Sequence, residues 1–252
     1  MSIVISIDGN IGSGKSTIVK NLKDQFINEE DYIIFLEEPV NEWIKIRDDE
    51  KNIIEKFYED PDKYSFAFQM MALISRFKIL NDTITKYPNS IIITERSLYT
   101  DKNIFAKMLF DSKKINTFEY QIYNKWFDEF VKKIPEHKFI YLHTNPDTCI
   151  KRIKTRAREG EDKIDSEYLK KCNDYHDVMF DKINYELKFN LDNCDLDSCD
   201  YNKILNEIRT YILSQNCNKI KYNLMIFESS TLIIGLFFFI FGLCVNKIPK
   251  YL

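Results

Sequence analysis

This chain lacks any strong charge bias, because 36 basic and 39 acidic residues among 252 leave a net charge of -3 at pH 7. Its basic residues are dispersed among acids, so a small anionic substrate held by local clusters fits better than a nucleic acid on a basic face, and no nucleic-acid partner is expected. No C-x-x-C pair occurs among the six cysteines (149, 172, 194, 199, 217 and 244), and no histidine stands at zinc-ligand spacing. A metal–thiolate centre is therefore not expected. No signal peptide opens the sequence, which starts directly on a strand-like run, so a reducing cytoplasmic setting with free thiols is the expectation. There is no internal repeat, no sustained hairpin pattern, and no low-complexity linker before residues 214–223.

A long apolar run appears only at the end. Residues 231–245 carry no charge, and fifteen helical residues reach about 22 Å against a hydrocarbon core of roughly 30 Å. Starting the helix at Met225 gives the length but includes Glu228. The run reads as a marginal membrane anchor, with a buried helix or an aggregation-prone tail as the alternatives. Lys219 and Lys221 before it balance Lys247 and Lys250 after it, so no orientation follows. The expected layout is a body over residues 1–214, a polar linker over 215–224, a hydrophobic helix over 225–246 and a short tail over 247–252.

What is present is concentrated near the start. Gly9-Asn10-Ile11-Gly12-Ser13-Gly14-Lys15-Ser16 follows an apolar run over residues 3–7 and opens a helical pattern over 17–26. This is the G-x-x-x-x-G-K-S/T phosphate loop between strand and helix. Its glycines let successive backbone N–H groups face phosphate oxygens, and the helix N-terminus adds positive partial charge. Lys15 supplies a full charge to the outer phosphates, Ser16 a hydroxyl for Mg²⁺, and Thr17 continues the cradle.

Further strands are expected over residues 32–36, 91–94, 138–142 and 187–191. Helices are expected over 51–58, 64–87, 102–110, 117–132, 145–158, 166–182 and 203–213. The alternation argues a doubly wound α/β domain with a five-stranded parallel sheet flanked by helices. On the long helix Phe66, Met70, Leu73, Phe77 and Leu80 form an apolar stripe, while Gln69 and Arg76 share a face. Glu38 and Glu95-Arg96-Ser97 end their strands at the edge where the phosphate loop lies, which is where open parallel sheets bind ligands. Arg152, Lys154, Arg156 and Arg158 gather four cations in a short stretch, expected to face phosphates as a lid. A carboxylate such as Glu38 can accept a proton from a neutral hydroxyl, and it would repel a monophosphate. Arg96 is placed to keep it ionised, and Glu95 to serve Mg²⁺ or its waters.

Glu38-Pro39-Val40 with Trp43, Phe57-Tyr58 with Asp60-Pro61, Phe68-Gln69, Glu95-Arg96-Ser97 with Asp101, Tyr141-Leu142 through Cys149, and Arg152 to Glu161 occur in that order over most of residues 1–180. Together they resemble the deoxynucleoside kinase family. The resemblance implies a P-loop kinase fold and transfer of the γ-phosphate of ATP, with Mg²⁺, to the 5′-hydroxyl of a deoxynucleoside in nucleotide salvage. It implies that Glu38 is the base, with Glu95 second, and that Arg96 sits beside the hydroxyl. Tyr58 and Glu161 then hold the sugar 3′-hydroxyl, Gln69 pairs with the base edge, and Trp43 and Phe68 form the walls. Arg152, Arg156 and Arg158 correspond to the lid.

Ala72, Arg76 and Asp101 resemble the deoxycytidine and deoxyguanosine kinase branch, which implies cytidine or purine substrates over thymidine. Family members are commonly homodimers, and residues 117–132 are the candidate contact. Gly160 stands where the lid often has another acid, which is expected to loosen the lid, and Met179 where an aromatic is common. Two competing readings remain at this point. One is a nucleoside monophosphate kinase such as thymidylate kinase, and the other is a tail-anchored, non-catalytic ATP-binding protein.

Overall fold

The computed structural model describes residues 2–27, 32–192, 194 and 200–215, so the expected linker beyond Gln215 and the apolar tail lie outside the described residues. Two compact units are distinguished, Met1–Asn206 and Glu207–Leu252. Residues 207–215 of the second are helical. Among the described residues no helix is long and apolar enough to cross a membrane.

The first unit begins with β1, Ile3–Gly9, and α1, Lys15–Gln25. β2, Ile33–Leu36, leads to a short α2, Val40–Trp43, and a hairpin of β3, Arg47–Asp48, with β4, Lys51–Asn52. Next come α3, Ile53–Glu59, α4, Pro61–Lys86, β5, Ile91–Glu95, and α5, Leu98–Thr100. A π-helical segment, Asp101–Ala106, runs into α6, Lys107–Asp111, followed by α7, Thr117–Val131, and β6, His137–His143. The unit continues with α8, Pro146–Arg156, a 3-10 turn, Glu161–Lys163, α9, Ser166–Phe180, and β7, Leu187–Asn190. Residues 200–206 are helical.

The five long strands are all parallel, in the order β2-β5-β1-β6-β7. β1 is central and buried on both faces, with Val4, Ile5 and Ile7 at 0% exposure, which is why it reads as an unbroken apolar run. Because the strands run one way, their carboxyl ends share an edge. The loops after β1, β2 and β5 converge there.

Several expected helices differ: the one expected over 102–110 is π-helical over Asp101–Ala106, and the one expected over 64–87 begins at Pro61. The helix expected over 51–58 starts later because Lys51 and Asn52 pair with Asp48 and Arg47. Asn52 then caps α3, accepting from the Ile54 and Glu55 amides while Glu55 reaches back to the Asn52 N–H. The helix expected to run on to Arg158 stops at Arg156, where Ala157 turns left-handed at φ 47°.

α4 begins where Asp60 accepts from the Lys63 amide and Pro61 takes the first position. It ends at Lys86, just ahead of Pro88. Its buried face carries Ser65, Gln69, Ala72, Leu73, Arg76 and Leu80. Phe66, Met70 and Phe77, from the expected apolar stripe, pack as half-buried residues against a cluster that includes Tyr123 and Phe127 of α7, and Phe77 stacks on Phe130 of the same helix. One helix therefore packs α7 with its apolar positions and delivers an amide and a guanidinium to the sheet edge.

Candidate active site

The phosphate loop is drawn tight by close approaches. A side chain on Gly12, at φ 76°, would meet the Cys149 carbonyl oxygen at 2.7 Å, so only glycine brings the loop this near α8. Asn10 turns its amide inward, donating from Nδ2 to the Leu169 carbonyl at 3.0 Å. The buried Lys15 donates from Nζ to the Asn10 carbonyl at 2.6 Å. Burial, then the nearby Arg96, lower its ammonium to about 7 against the pull of Glu95 and Glu38. Ser16 Oγ donates to Glu95 Oε1 at 2.6 Å, bringing a hydroxyl and a carboxylate together beside the lysine. That oxygen pair fits a hard divalent cation such as Mg²⁺.

Beyond the loop lies a chamber whose empty space, counted with the solvent open to it, is about 700 Å³. Its floor is an ion network. Arg76 Nη2 reaches Glu38 Oε1 at 2.8 Å, Nε reaches Asp101 Oδ2 at 2.8 Å, and Nη1 donates to the Glu95 carbonyl at 3.0 Å. Arg96 Nε lies 3.4 Å from the same Glu38 oxygen, and Arg96 Nη1 donates to the Gly9 carbonyl at 3.2 Å. Burial by itself would raise the Glu38 carboxyl, but Arg76, Arg96 and Lys15 hold it well below the ordinary carboxylate range. For Asp101 burial outweighs Arg76 and Arg96, and its pKa is raised. Arg96 takes φ 70°, a conformation that costs a side-chain-bearing residue about 1–3 kcal/mol and that clusters at functional sites.

The walls are aromatic. Phe68 stacks on Phe57 at 4.6 Å between centroids and meets Trp43 edge-on at 5.7 Å. Trp43 is fixed by its Nε1 donating to Ser75 Oγ at 2.9 Å. Tyr58 meets Tyr168 edge-on at 5.9 Å, and burial pushes its phenol up, keeping it neutral. Such rings give a planar ligand area while leaving orientation to the few polar groups.

A second, wider cavity, about 1320 Å³ counted with the solvent open to it, is lined by Gly12, Gly14, Lys15, Ser16, Thr17 and Arg152, with Arg156 and Arg158 lining both spaces. Arg152 Nη2 donates to the Leu191 carbonyl at 2.8 Å and Nη1 to the Ser13 carbonyl at 3.3 Å. The other two arginines hold Glu161, with Arg156 Nη2 at 2.5 Å and Arg158 Nη1 at 3.3 Å from its oxygens. Gly160 seats the turn before Glu161 close against α3. At φ 85° a side chain there would meet Glu55 Cγ at 3.1 Å and the Glu55 N at 3.3 Å, so glycine is what lets the turn rest on α3. Arg47 adds an ion pair to Glu159 at 3.5 Å.

All ten residues expected to bind the acceptor line the chamber: Glu38, Trp43, Tyr58, Phe68, Gln69, Ala72, Arg76, Arg96, Asp101 and Glu161. Lys15 and Glu95 line it too. Within the expected phosphate-loop set, Ile11 faces the chamber. Gly9, Asn10 and Ser13 line neither cavity. The lining residues that carried no expected role are Val40, Ile54, Phe57, Phe105 and Tyr168. Phe105 lies under the Arg96 guanidinium at 4.6 Å, and one signal was available, its place four residues after Asp101. Nothing local distinguishes Tyr168, which arrives from α9.

The chain matches the deoxynucleoside kinase family over residues 5–213. It is 32% identical over 204 residues to mitochondrial deoxyguanosine kinase of Xenopus laevis, covering 73% of this chain and 76% of that protein. With deoxycytidine kinase of Homo sapiens the identity is 34% over 209 residues, 75% and 78% of the two chains. With deoxycytidine kinase 1 of Xenopus laevis it is 35% over 195 residues, 69% and 72%. A phosphate loop facing a carboxylate across an aromatic chamber, and a family match over most of its length, establish that this chain belongs to the deoxynucleoside kinase family.

Proposed function

We propose that the chain transfers the γ-phosphoryl group of ATP to the 5′-hydroxyl of deoxycytidine or a purine deoxynucleoside. The observation that carries this reading is Glu38 held ionised by Arg76 and Arg96 on the floor of the aromatic chamber, which also borders Lys15. The hydroxyl donates to Glu38, its oxygen attacks the γ-phosphorus, and the bond to the β-phosphate oxygen breaks to release ADP. A carboxylate held this low is a weak base. Its work is to align the hydroxyl, taking the proton late as bonding to phosphorus acidifies it. Lys15 and Arg96 face the charge that develops on the transferred group. Ser16 and Glu95 are the residues to hold Mg²⁺, which when bound neutralises phosphate charge.

Base choice rests on the Arg76–Asp101 corner beside Gln69. A thymine methyl placed against this buried pair would meet charged groups, whereas amino and keto edges meet donors and acceptors. Turnover of a panel of deoxycytidine, deoxyguanosine, deoxyadenosine and thymidine tests it. Preference for thymidine with the others ignored overturns the corner argument. The chamber is also the wrong shape electrostatically for a monophosphate acceptor, whose phosphate would lie against Glu38. Offering deoxyguanosine and its monophosphate in separate assays checks this.

The homodimer reading is supported by α7, where Phe118, Ile122 and Trp126, spaced i, i+4, i+8, are 81%, 46% and 49% exposed. Such a stripe is atypical of a free surface. Sedimentation of the wild type against Trp126→Ser tests it. Membrane attachment through residues 225–246, with the kinase part in the cytoplasm, stays a proposal from the apolar run alone. Cell fractionation with and without residues 225–252 checks it.

A further inference from the structure

Asp8, the penultimate residue of β1, is a fully buried carboxylate with no cation bonded to it among the described residues. Both of its oxygens accept hydrogen bonds. Oδ1 accepts from the Ser97 amide at 3.0 Å and from the Thr100 hydroxyl, and Oδ2 accepts from Ser6 Oγ at 2.5 Å. Because the Ser6 hydrogen goes to Asp8, the 3.0 Å contact between Ser6 Oγ and His137 Nε2 has the imidazole as donor. Ser97 Oγ in turn donates to Thr100 Oγ1 and accepts from the Thr100 amide, capping α5.

The consequence falls on the residue between two of these anchors. Arg96 donates its N–H to the Ile7 carbonyl at 3.0 Å, while the next amide, that of Ser97, is held by Asp8. β1 therefore grips the chain on both sides of the left-handed residue at φ 70°. An extended or right-handed backbone at this position would direct the side chain elsewhere. The left-handed one leaves the guanidinium on the Gly9 carbonyl and on Glu38.

We propose that Asp8 is a positioning residue for phosphoryl transfer: its carboxylate clamps the Ser97 amide and the Thr100 hydroxyl and so fixes the backbone that aims Arg96. It touches neither substrate. The inference rests on the role given above to Arg96 and Glu38.

The test is a double-mutant cycle. Asp8→Ala and Asp8→Asn are made in the wild type and in Arg96→Lys, which keeps the charge but loses the planar fork. Asp8→Ala lowers kcat about 10- to 100-fold, with the ATP dissociation constant and nucleoside KM moving less than about threefold, the split expected of a group acting only in the transition state. Asp8→Asn, which keeps the Oδ1 acceptor, lowers kcat about three- to tenfold. In the Arg96→Lys background both effects shrink to less than about threefold. Equal effects in both backgrounds, a loss of ATP binding at unchanged kcat, or wild-type kcat in Asp8→Asn each overturn the clamp. If Asp8→Ala does not fold, the Asp8→Asn cycle decides alone. Wild-type turnover is the separate control: its absence fails the functional reading, whereas an active wild type with additive variants fails only the clamp.

Discussion

The two cavities flanking the phosphate loop solve opposite electrostatic problems. On the acceptor side the lining cations Lys15, Arg76, Arg96, Arg156 and Arg158 are set against Glu38, Glu95, Asp101 and Glu161, so most of the charge there is answered by carboxylates within the protein. On the donor side the charged lining residues are Lys15, Lys151, Arg152, Arg156 and Arg158, with no carboxylate among the described residues. Lys15 and Arg152 rest there on backbone carbonyls. A polyanion brings its own countercharge and can take cations from such weak partners. An uncharged sugar alcohol brings none, so the charges that orient it have to be neutralised within the protein beforehand.

The largest expected effect breaks the acceptor side. Glu38→Gln should leave ATP binding intact and lower kcat by about 10² to 10⁴, the range for a lost general base. Steady-state kinetics check it, and an unchanged rate removes Glu38 from the mechanism. Arg76→Met leaves Glu38 and Asp101 short of their shared partner, and should cost about 3–5 kcal/mol in urea unfolding. A cost below about 1 kcal/mol would mean that Arg96 and water carry the floor without it.

The donor side should respond to pH where the acceptor side does not. With Lys15 lowered to about 7, the free protein loses this ammonium as pH rises through that value, while bound phosphates favour the charged form. ATP affinity should therefore be flat below pH 7 and fall about tenfold per unit above it, with proton uptake on binding. Calorimetry in buffers of different ionisation enthalpy measures both. Glu38 is held low, so its stabilising contribution persists down to the acid side of the ordinary carboxylate range and kcat should show no acid limb between about pH 5 and 7. An inflection there that disappears in Glu38→Gln would contradict the network. The smallest effect concerns the boundary between the cavities. Gly160→Ala introduces about 1 kcal/mol of strain where the lid rests on α3, and should raise the nucleoside KM about fivefold with little change in ATP affinity.

The sheet edge that carries the candidate site was legible because its residues follow strands or sit in a contiguous motif. A phosphate loop after an apolar strand, and acids at the ends of two more, already define one sheet edge. The partners were harder to read. Arg96 was expected as the guanidinium holding Glu38, but Arg76 approaches it more closely, at 2.8 Å against 3.4 Å. Arg76 had been assigned to the base corner, and periodicity gave only the helix face it occupies. The arginine-rich run was visible as charge. That it divides, Arg152 on the Ser13 and Leu191 carbonyls and the other two on Glu161, depends on the left-handed turn at Ala157.

By itself the sequence determined the strand-and-helix alternation, the phosphate cradle and the identity of the groups at the sheet edge, because these follow from local periodicity and short-range spacing. Only the tertiary structure decided which cation answers which carboxylate, that Gly160 seats the lid, and that Asp8 holds the turn carrying Arg96. Those outcomes depend on contacts across 38, 105 and 89 positions of chain, a separation at which residue order carries no geometric information until the sheet has brought the ends together.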